Sequence, residues 1–366
     1  MQFQILQPIA YFFFYPLLVI GIFSILLNSS LFMRSISKYK FIFTYILILW
    51  IYQLVFGLSR THSGTWVYLI AKTTMLMMTV IAIERNPNYY HFGFCKQLLF
   101  LCSMLITIGL VFFDSISADG RHLFGFGNVN AGGHLASICF AGLLITNPLT
   151  GKKWLSRILM LICLLAVLYS GSRSSAGIAA VALFIKYGLK KELLIAIAVC
   201  YVIAMKILPS FNINLIGLER FTNSIENRDF SSNRELERKA AIYMINESPI
   251  AGNGIVCPNS DAANEISKLG SHNTYLDWLK WFGIPLASIL IISLVIDSLR
   301  LYIKFHSTKN DYDKFHLFVV ISTILVCFFE GYIWGVNEMS NTIFFTSLAI
   351  LCYKEKTKDK RLWQIK

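Results

Sequence analysis

His272 is the residue in this sequence best suited to move a proton. It stands in the run Ser271-His272-Asn273-Thr-Tyr275-Leu-Asp-Trp-Leu-Lys-Trp-Phe-Gly283. Ser271 is a good N-cap, which predicts that His272 lies in the first turn of an amphipathic helix. A helix N-terminus disfavours the imidazolium form, so a histidine there tends to be neutral, as a general base must be. A purely structural histidine is the alternative that the residue alone leaves open.

Arg173 and Arg121 could bind an anion such as a phosphate, because a guanidinium is planar, always charged and able to donate two parallel hydrogen bonds. Arg173 lies in the hydroxyl-rich stretch Ser170-Gly-Ser-Arg173-Ser-Ser175. A tight turn there can aim backbone N–H groups and one guanidinium at a common anion. Arg121 opens a loop rich in glycine and asparagine, residue types that suit turns. The alternatives are an arginine that reaches lipid headgroups and an ordinary connecting loop.

A second pair of arginines is predicted on a helix. Ser232-Asn-Arg-Glu235 has the spacing of a capping box, which predicts a helix over about 233–246. Arg234 and Arg238 are four residues apart and would share one face of it. A solvated face, in which these arginines pair with neighbouring glutamates, is the alternative.

No metal or cofactor site is indicated. The eight cysteines form no CxxC pair and no cluster with histidine. Asp311-Tyr-Asp313 has the form of a DxD motif but is better interpreted as a solvated turn, because it lies in a loop of about ten residues without strands around it. We expect neither a metal nor a cofactor.

The elements that must position these residues are predicted to be membrane helices. Of the 366 residues, 56% are hydrophobic and 14% are charged, whereas a soluble domain has about a quarter charged. This composition excludes a disordered chain, a disulfide scaffold and an ordinary cytosolic enzyme. Nucleic acid is not an expected partner, because the net charge of +13 is dispersed between long apolar runs.

An all-α, polytopic membrane protein with about 11 (10–12) transmembrane helices is the predicted fold, since one crossing takes about 20 apolar residues. The predicted spans are 8–27, 41–58, 66–83, 97–113, 132–147, 154–170, 174–187, 191–208, 283–303, 315–334 and 340–353. About eight helices occupy 1–208 and about three occupy 283–353. Between them lies a long, partly helical segment over 209–282, and a basic tail follows over 354–366.

The basic residues predict the orientation. Alternate connections, starting with 28–40, carry 21 of the 33 lysines and arginines, and the other connections carry ten. The richer side is expected to be cytoplasmic. The C-terminus is then cytoplasmic, and the segment 209–282 faces outward together with every arginine singled out above.

Four segments, taken in chain order, resemble motifs of the O-antigen polymerase/O-antigen ligase superfamily of bacterial envelope glycosyltransferases. They are Arg121 followed after ten residues by Gly132, the turn Ser170-Gly-Ser-Arg173, the block from Glu237-Arg238 to Pro249 and Gly252-Asn-Gly254, and His272-Asn273 followed after nine residues by Gly283.

The resemblance implies lipopolysaccharide or related polysaccharide biosynthesis at the periplasmic face of the bacterial inner membrane. The substrate would be an oligosaccharide on undecaprenyl pyrophosphate, transferred with inversion and without a metal or nucleotide sugar. His272 would accept the proton of the attacking hydroxyl, while Arg173 and Arg238 hold the pyrophosphate. The other residues expected to bind substrate are Arg121, Arg234, Asn273 and Tyr275.

Within the superfamily the sequence favours a polymerase, which extends one lipid-linked repeat with another. The run after Ser271 is similar to polymerases, whereas ligases, which transfer the finished glycan to lipid A-core, more often have a second histidine before the motif. Expected partners are the bilayer, a chain-length regulator and a flippase. The alternative that the protein is itself a flippase is disfavoured, because only Lys72 is a clear mid-span charge.

Overall fold

The computed structural model describes residues 7–58, 64–117, 120–148, 151–188, 190, 234–255, 271–336 and 338–357, and within them every regular element is helical. The only β-type pairing in these ranges is one isolated bridge between Ile116 and His122. The all-α fold class is therefore confirmed for the described residues.

Twelve α-helices are described, two of them extended by π-helical turns. They are α1 Gln7–Leu27, α2 Ser29–Ser35, α3 Lys40–Tyr52 with the π-turns Gln53–Gly57, α4 Thr65–Arg85, the π-turns Tyr89–Phe94 leading into α5 Cys95–Phe112, α6 Val129–Thr146, α7 Lys153–Tyr169, α8 Arg173–Tyr187, α9 Glu235–Glu247, α10 Thr274–Phe305, α11 Asp311–Val326 and α12 Met339–Lys356.

Helices occupy ten of the eleven predicted spans, and the eleventh, 191–208, lies outside the described residues. So do 209–233 and 256–270 of the long outer segment and 358–366 of the tail. By length and apolar composition, five described helices could cross a membrane, or six if the bent pair α1–α2 is one span. The predicted number of eleven crossings is therefore not confirmed.

The predicted span 315–334 is wrong at its C-terminal end. Helix α11 ends at Val326, and residues 327–336 form an irregular turn. The run Val-Cys-Phe-Phe is apolar enough to look like more of the helix, but the carbonyls of Cys327, Phe328 and Phe329 accept hydrogen bonds from other segments instead. We call residues 327–336 the glutamate turn, after Glu330.

The chain divides into two compact units. The first unit consists of Met1–Ala10, Phe92–Phe230 and Asn310–Phe318, and the second consists of Tyr11–His91, Ser231–Lys309 and Val319–Lys366. In the first unit, α6 is buried along its whole length and packs against α5, α7 and α8. Small residues permit this close packing. A Cβ added at Gly133, for example, would lie 2.5 Å from the Ser170 hydroxyl.

In the second unit, α10 packs against α3, α9 and α12, and α4 packs against α12. Its core is aromatic, with Trp278 buried beside Tyr45, and Phe282 beside Tyr52. The opposite face of α10 exposes apolar side chains at helical spacing: Ile289, Ile292, Ile296, Leu299 and Ile303. A continuous apolar stripe of this kind is typical of a helix that contacts lipid.

Candidate active site around His272

His272 lies immediately before α10 in a strained backbone conformation. Its φ is +48°, in the left-handed region that costs a non-glycine residue roughly 1–2 kcal/mol. The N-cap of α10 is Asn273, whose Oδ1 accepts from the backbone N–H groups of Tyr275 and Leu276 at 2.9 and 3.1 Å. The prediction that Ser271 is the N-cap, with His272 inside the first turn, is therefore wrong by two residues.

Ser271 and Asp277 hold this conformation in place. Both are buried, and the Ser271 backbone N–H donates to Asp277 Oδ1 at 3.3 Å while its hydroxyl donates to the same oxygen at 2.9 Å. Lys280 is also buried, with Nζ 3.4 Å from that carboxylate. The strain at His272 persists because its neighbours are fixed on both sides.

Glu330 bridges His272 and Arg234. One carboxylate oxygen accepts from Arg234 Nη2 at 2.9 Å, and the other lies 3.3 Å from His272 Nδ1. The Glu330 side chain is only 8% exposed, whereas that of His272 is 34% exposed. The buried carboxylate thus orients the imidazole ring, while the ring itself stays open to a ligand.

The glutamate turn is tied to the start of α10. The Thr274 backbone N–H donates to Cys327 O at 2.9 Å, and the Thr274 hydroxyl donates to Glu330 O at 3.0 Å. The Asn273 side-chain amide donates to Phe328 O at 3.1 Å. These bonds replace the helical hydrogen bonds that the turn lacks.

Lys72 on α4 secures the far side of the same turn. Its side chain is fully buried, and Nζ donates to Ile333 O at 2.8 Å and to Gly335 O at 2.7 Å. Nζ also lies 4.6 Å from the centre of the Phe345 ring, a cation–π contact. Lys72, the mid-span charge noted in the sequence, therefore stabilises the glutamate turn.

Helix α9 brings a second carboxylate to His272. Glu237, Ala241 and Ile245 lie on the face that packs against α10, and Glu237 Oε2 is 3.7 Å from His272 Nε2. The helix predicted over about 233–246 is confirmed, but it does not begin with the predicted capping box. The first helical residue is Glu235, and the cap residue is Arg234, which makes no side-chain cap hydrogen bond; Ser232 lies outside the described residues.

The two arginines of this segment have different surroundings, although they are four residues apart. Arg234 Nη1 donates to Phe329 O at 2.7 Å, in addition to its ion pair with Glu330. Arg238 is exposed, and among the described residues its guanidinium has no hydrogen bond or ion pair. Arg234 therefore positions the glutamate, and Arg238 remains available to an anion.

Two glycines of the sequence motifs lock α9 and α10 together. Gly252 has a φ of +63° and Gly283 a φ of +74°. A Cβ at Gly252 would lie 2.2 Å from Trp281 O, and a Cβ at Gly283 would lie 2.2 Å from Ile250 O. Only glycine fits at either position, and the Ile284 N–H donates to Pro249 O at 2.7 Å across the junction. Gly283 also breaks α10, since its φ and ψ are not helical.

Tyr275 and Asn273 have structural roles in the second unit. Tyr275 is buried, its ring packs on Phe328, and its hydroxyl donates to Ile324 O at 2.8 Å. Both ends of the Asn273 amide bind the protein, as described above. A direct contact of either side chain with substrate stays a prediction.

The first unit contains Arg173 and Arg121. The predicted tight turn is present, because α7 ends at Tyr169 and Arg173 is the first residue of α8, with Ser172 as its N-cap. Arg121 donates to Asn130 Oδ1 at 2.9 Å. Whether these two arginines act on the same substrate as His272 stays a prediction.

The cluster of His272, Glu330 and Glu237 can perform base catalysis, and Arg238, the exposed neighbour of Glu237 on α9, can bind an anion. With the proton on Nδ1 donated to Glu330, Nε2 carries the free lone pair, which is the arrangement of a general base held by a carboxylate. The sequence reasoning missed Glu330 and Glu237 as site residues. An acid at the end of an apolar run was the available signal for Glu330, because such residues are usually functional.

Residues 158–291 match a family model described as O-Antigen ligase. The matched range contains six of the seven predicted site residues, and it leaves out Arg121 as well as Glu330. No curated protein matches the chain. This match supports the O-antigen ligase and polymerase superfamily that the sequence motifs resemble.

Proposed function

We propose that this protein polymerises oligosaccharide repeats carried on undecaprenyl pyrophosphate, for O-antigen or a related surface polysaccharide. The observation that carries the proposal is the His272–Glu330 pair. One ring nitrogen is held by a buried carboxylate, and the other lies 3.7 Å from Glu237 Oε2 on a histidine side chain that is 34% exposed. The family match supports glycosyl transfer from a lipid-linked glycan, and the exposed apolar stripe on α10 supports a membrane setting.

In the proposed reaction, a hydroxyl of the acceptor sugar attacks the anomeric carbon of the donor. The new C–O bond forms as the bond from that carbon to the pyrophosphate oxygen breaks, so the configuration inverts. The hydroxyl proton passes to His272 Nε2, and Glu330 stabilises the resulting imidazolium. Undecaprenyl pyrophosphate leaves as an anion.

Arg238 is proposed to bind the leaving pyrophosphate, because its guanidinium is exposed and uncommitted within the described part of the chain. Arg173 is proposed for the same role, with Arg121 as a further contributor. Arg234 acts on the base instead, through Glu330. This differs from the expectation that Arg234 contacts the pyrophosphate itself.

The proposed setting is the bacterial inner membrane, with the site facing the periplasm and the C-terminus in the cytoplasm. A flippase that supplies repeats and a chain-length regulator are the proposed partners. Alkaline phosphatase fused after residue 255 should be active, and the same enzyme fused after residue 357 should be inactive. The reverse pattern would contradict the orientation.

The glycolipid ladder of a deletion strain tests the function. We expect lipid A-core with a single repeat, because a ligase would still transfer repeats that were never polymerised. A core-only glycolipid would instead identify the ligase, which the matched family description favours. Repeats stranded on the cytoplasmic leaflet would identify a flippase and contradict both proposals.

A further inference from the structure

Glu237 is a charged residue of the site, and the proposed reaction assigns no role to it. Its Oε2 atom is buried and has no hydrogen-bond partner among the described residues. His272 Nε2 lies 3.7 Å from this atom. That separation exceeds the length of an N–H···O hydrogen bond, so the two groups face each other without being joined.

From this arrangement we infer that Glu237 binds the acceptor sugar, accepting a hydrogen bond from the hydroxyl or N–H next to the attacking hydroxyl. The inference rests on the proposed function, in which the attacking hydroxyl donates to Nε2. Two acceptor atoms 3.7 Å apart suit neighbouring groups on one sugar ring, whose donor atoms are separated by about one hydrogen-bond length, roughly 3 Å.

Glu237 and His272 both reach the surface. The side chain of Glu237 is 24% exposed and that of His272 is 34% exposed, although Glu237 Oε2 itself is buried, so the carboxylate turns outward to bind a sugar. Glu237 lies on α9, and its carboxylate can turn about its own side-chain bonds. Glu330, which is 8% exposed and held by Arg234, has no such freedom. The two carboxylates therefore have separate tasks: Glu330 orients the base, and Glu237 orients the nucleophile.

Acceptor kinetics of the full-length protein in nanodiscs test the inference. The donor is lipid-linked repeat from a deletion strain, at saturation and with its own acceptor hydroxyl chemically blocked, and the acceptor is the free oligosaccharide released from unblocked lipid by mild acid. E237A is expected to raise the half-saturating acceptor concentration about tenfold or more, the order expected for a lost hydrogen bond to a charged group. The maximal rate should change by less than about threefold, and E237Q should recover part of the loss because its amide oxygen still accepts.

Glu235 supplies the matched control. It lies on the same helix, is exposed, and pairs with Lys239 at 2.8 Å, so E235A should leave acceptor kinetics unchanged. An E237A variant with unchanged acceptor dependence would overturn the inference. So would a loss of maximal rate with a shifted pH profile and normal half-saturation, because Glu237 would then act on the base. Absence of any transfer by the folded wild-type protein would instead contradict the proposed function.

The product gives an independent test. Methylation analysis of the native polysaccharide identifies the sugar position that receives the new linkage. We expect a free hydroxyl or an amide N–H on a carbon adjacent to that position. A polysaccharide whose linkage carbon has neither neighbour would overturn the inference, even if the wild-type protein is an active polymerase.

Discussion

Replacing Gly283 by alanine is expected to disrupt the junction that places α9 beside His272. The glycine has φ +74° and ψ +168°, a conformation that is essentially restricted to glycine and costs another residue about 2 kcal/mol. The added Cβ would lie 2.2 Å from Ile250 O. The backbones must therefore separate, which weakens the bonds from Ile284 N to Pro249 O and from Gly254 N to Trp281 O.

The two hydrogen bonds are worth about 1 kcal/mol each, so the expected loss is about 4 kcal/mol for G283A. Heating the detergent-solubilised protein and measuring the soluble fraction by fluorescence-detected chromatography gives an apparent unfolding midpoint. We expect a fall of about 8 °C or more, since 1 kcal/mol shifts the midpoint of a large domain by roughly 2 °C or more. G252A should behave alike, and the double variant should lose less than the two losses combined, because both changes break one junction.

Gly177 is the matched control for these variants. It lies inside α8, and a Cβ there would meet nothing within 4 Å. G177A is therefore expected to stabilise the protein by about 0.5–1 kcal/mol. A G283A variant whose midpoint equals that of wild type or of G177A would refute the interlocked junction.

Further variants test the base, its support and the predicted anion site. E330Q is expected to fold but to lower the transfer rate about 100-fold or more, the usual scale of a general base; an active E330Q would exclude the bridge to His272 from the mechanism. K72M is expected to lower stability by about 1–3 kcal/mol, because it removes the hydrogen bonds of Lys72 to Ile333 O and Gly335 O, of which only Gly335 O keeps a bond, from Asn341 Nδ2. Unchanged stability in the same heating assay would contradict that support. R173A is expected to stop chain growth without loss of inserted protein, and R173K should not restore chain growth. The exposed Arg157 gives the control R157A. Long chains in R173A would exclude Arg173 from the site.

Much of the helical framework could be predicted, because apolar runs of sufficient length have few other solutions in a membrane. The exception within the described residues is the end of α11. Phe328 and Phe329 continue the apolar run, yet the chain leaves the helix there to bring Glu330 to His272. Hydropathy cannot distinguish such a turn from a helix. The hydrogen bonds that stabilise the turn come from residues about 50 positions earlier in the chain, around Thr274.

The site was predictable in its residue types and less so in its geometry. The sequence singles out His272 and a nearby arginine pair, and the structure brings His272 and Arg234 to the same carboxylate. The sequence could not distinguish the roles of Arg234 and Arg238. A spacing of four residues does not indicate which of the two arginines contacts an acidic residue from another segment. The cap of α10 was misplaced because Ser271 and Asn273 are equally good N-caps, and burial of Asp277 against Ser271 decides between them.

Transfer by the purified protein tests the central claim most directly. Full-length wild type and H272A are compared in nanodiscs containing EDTA, with lipid-linked repeat as the sole substrate. The account predicts that wild type forms a ladder of longer glycans and releases undecaprenyl pyrophosphate, while folded H272A forms neither. Long glycans made by H272A at the wild-type rate, or no transfer by folded wild type, would contradict it.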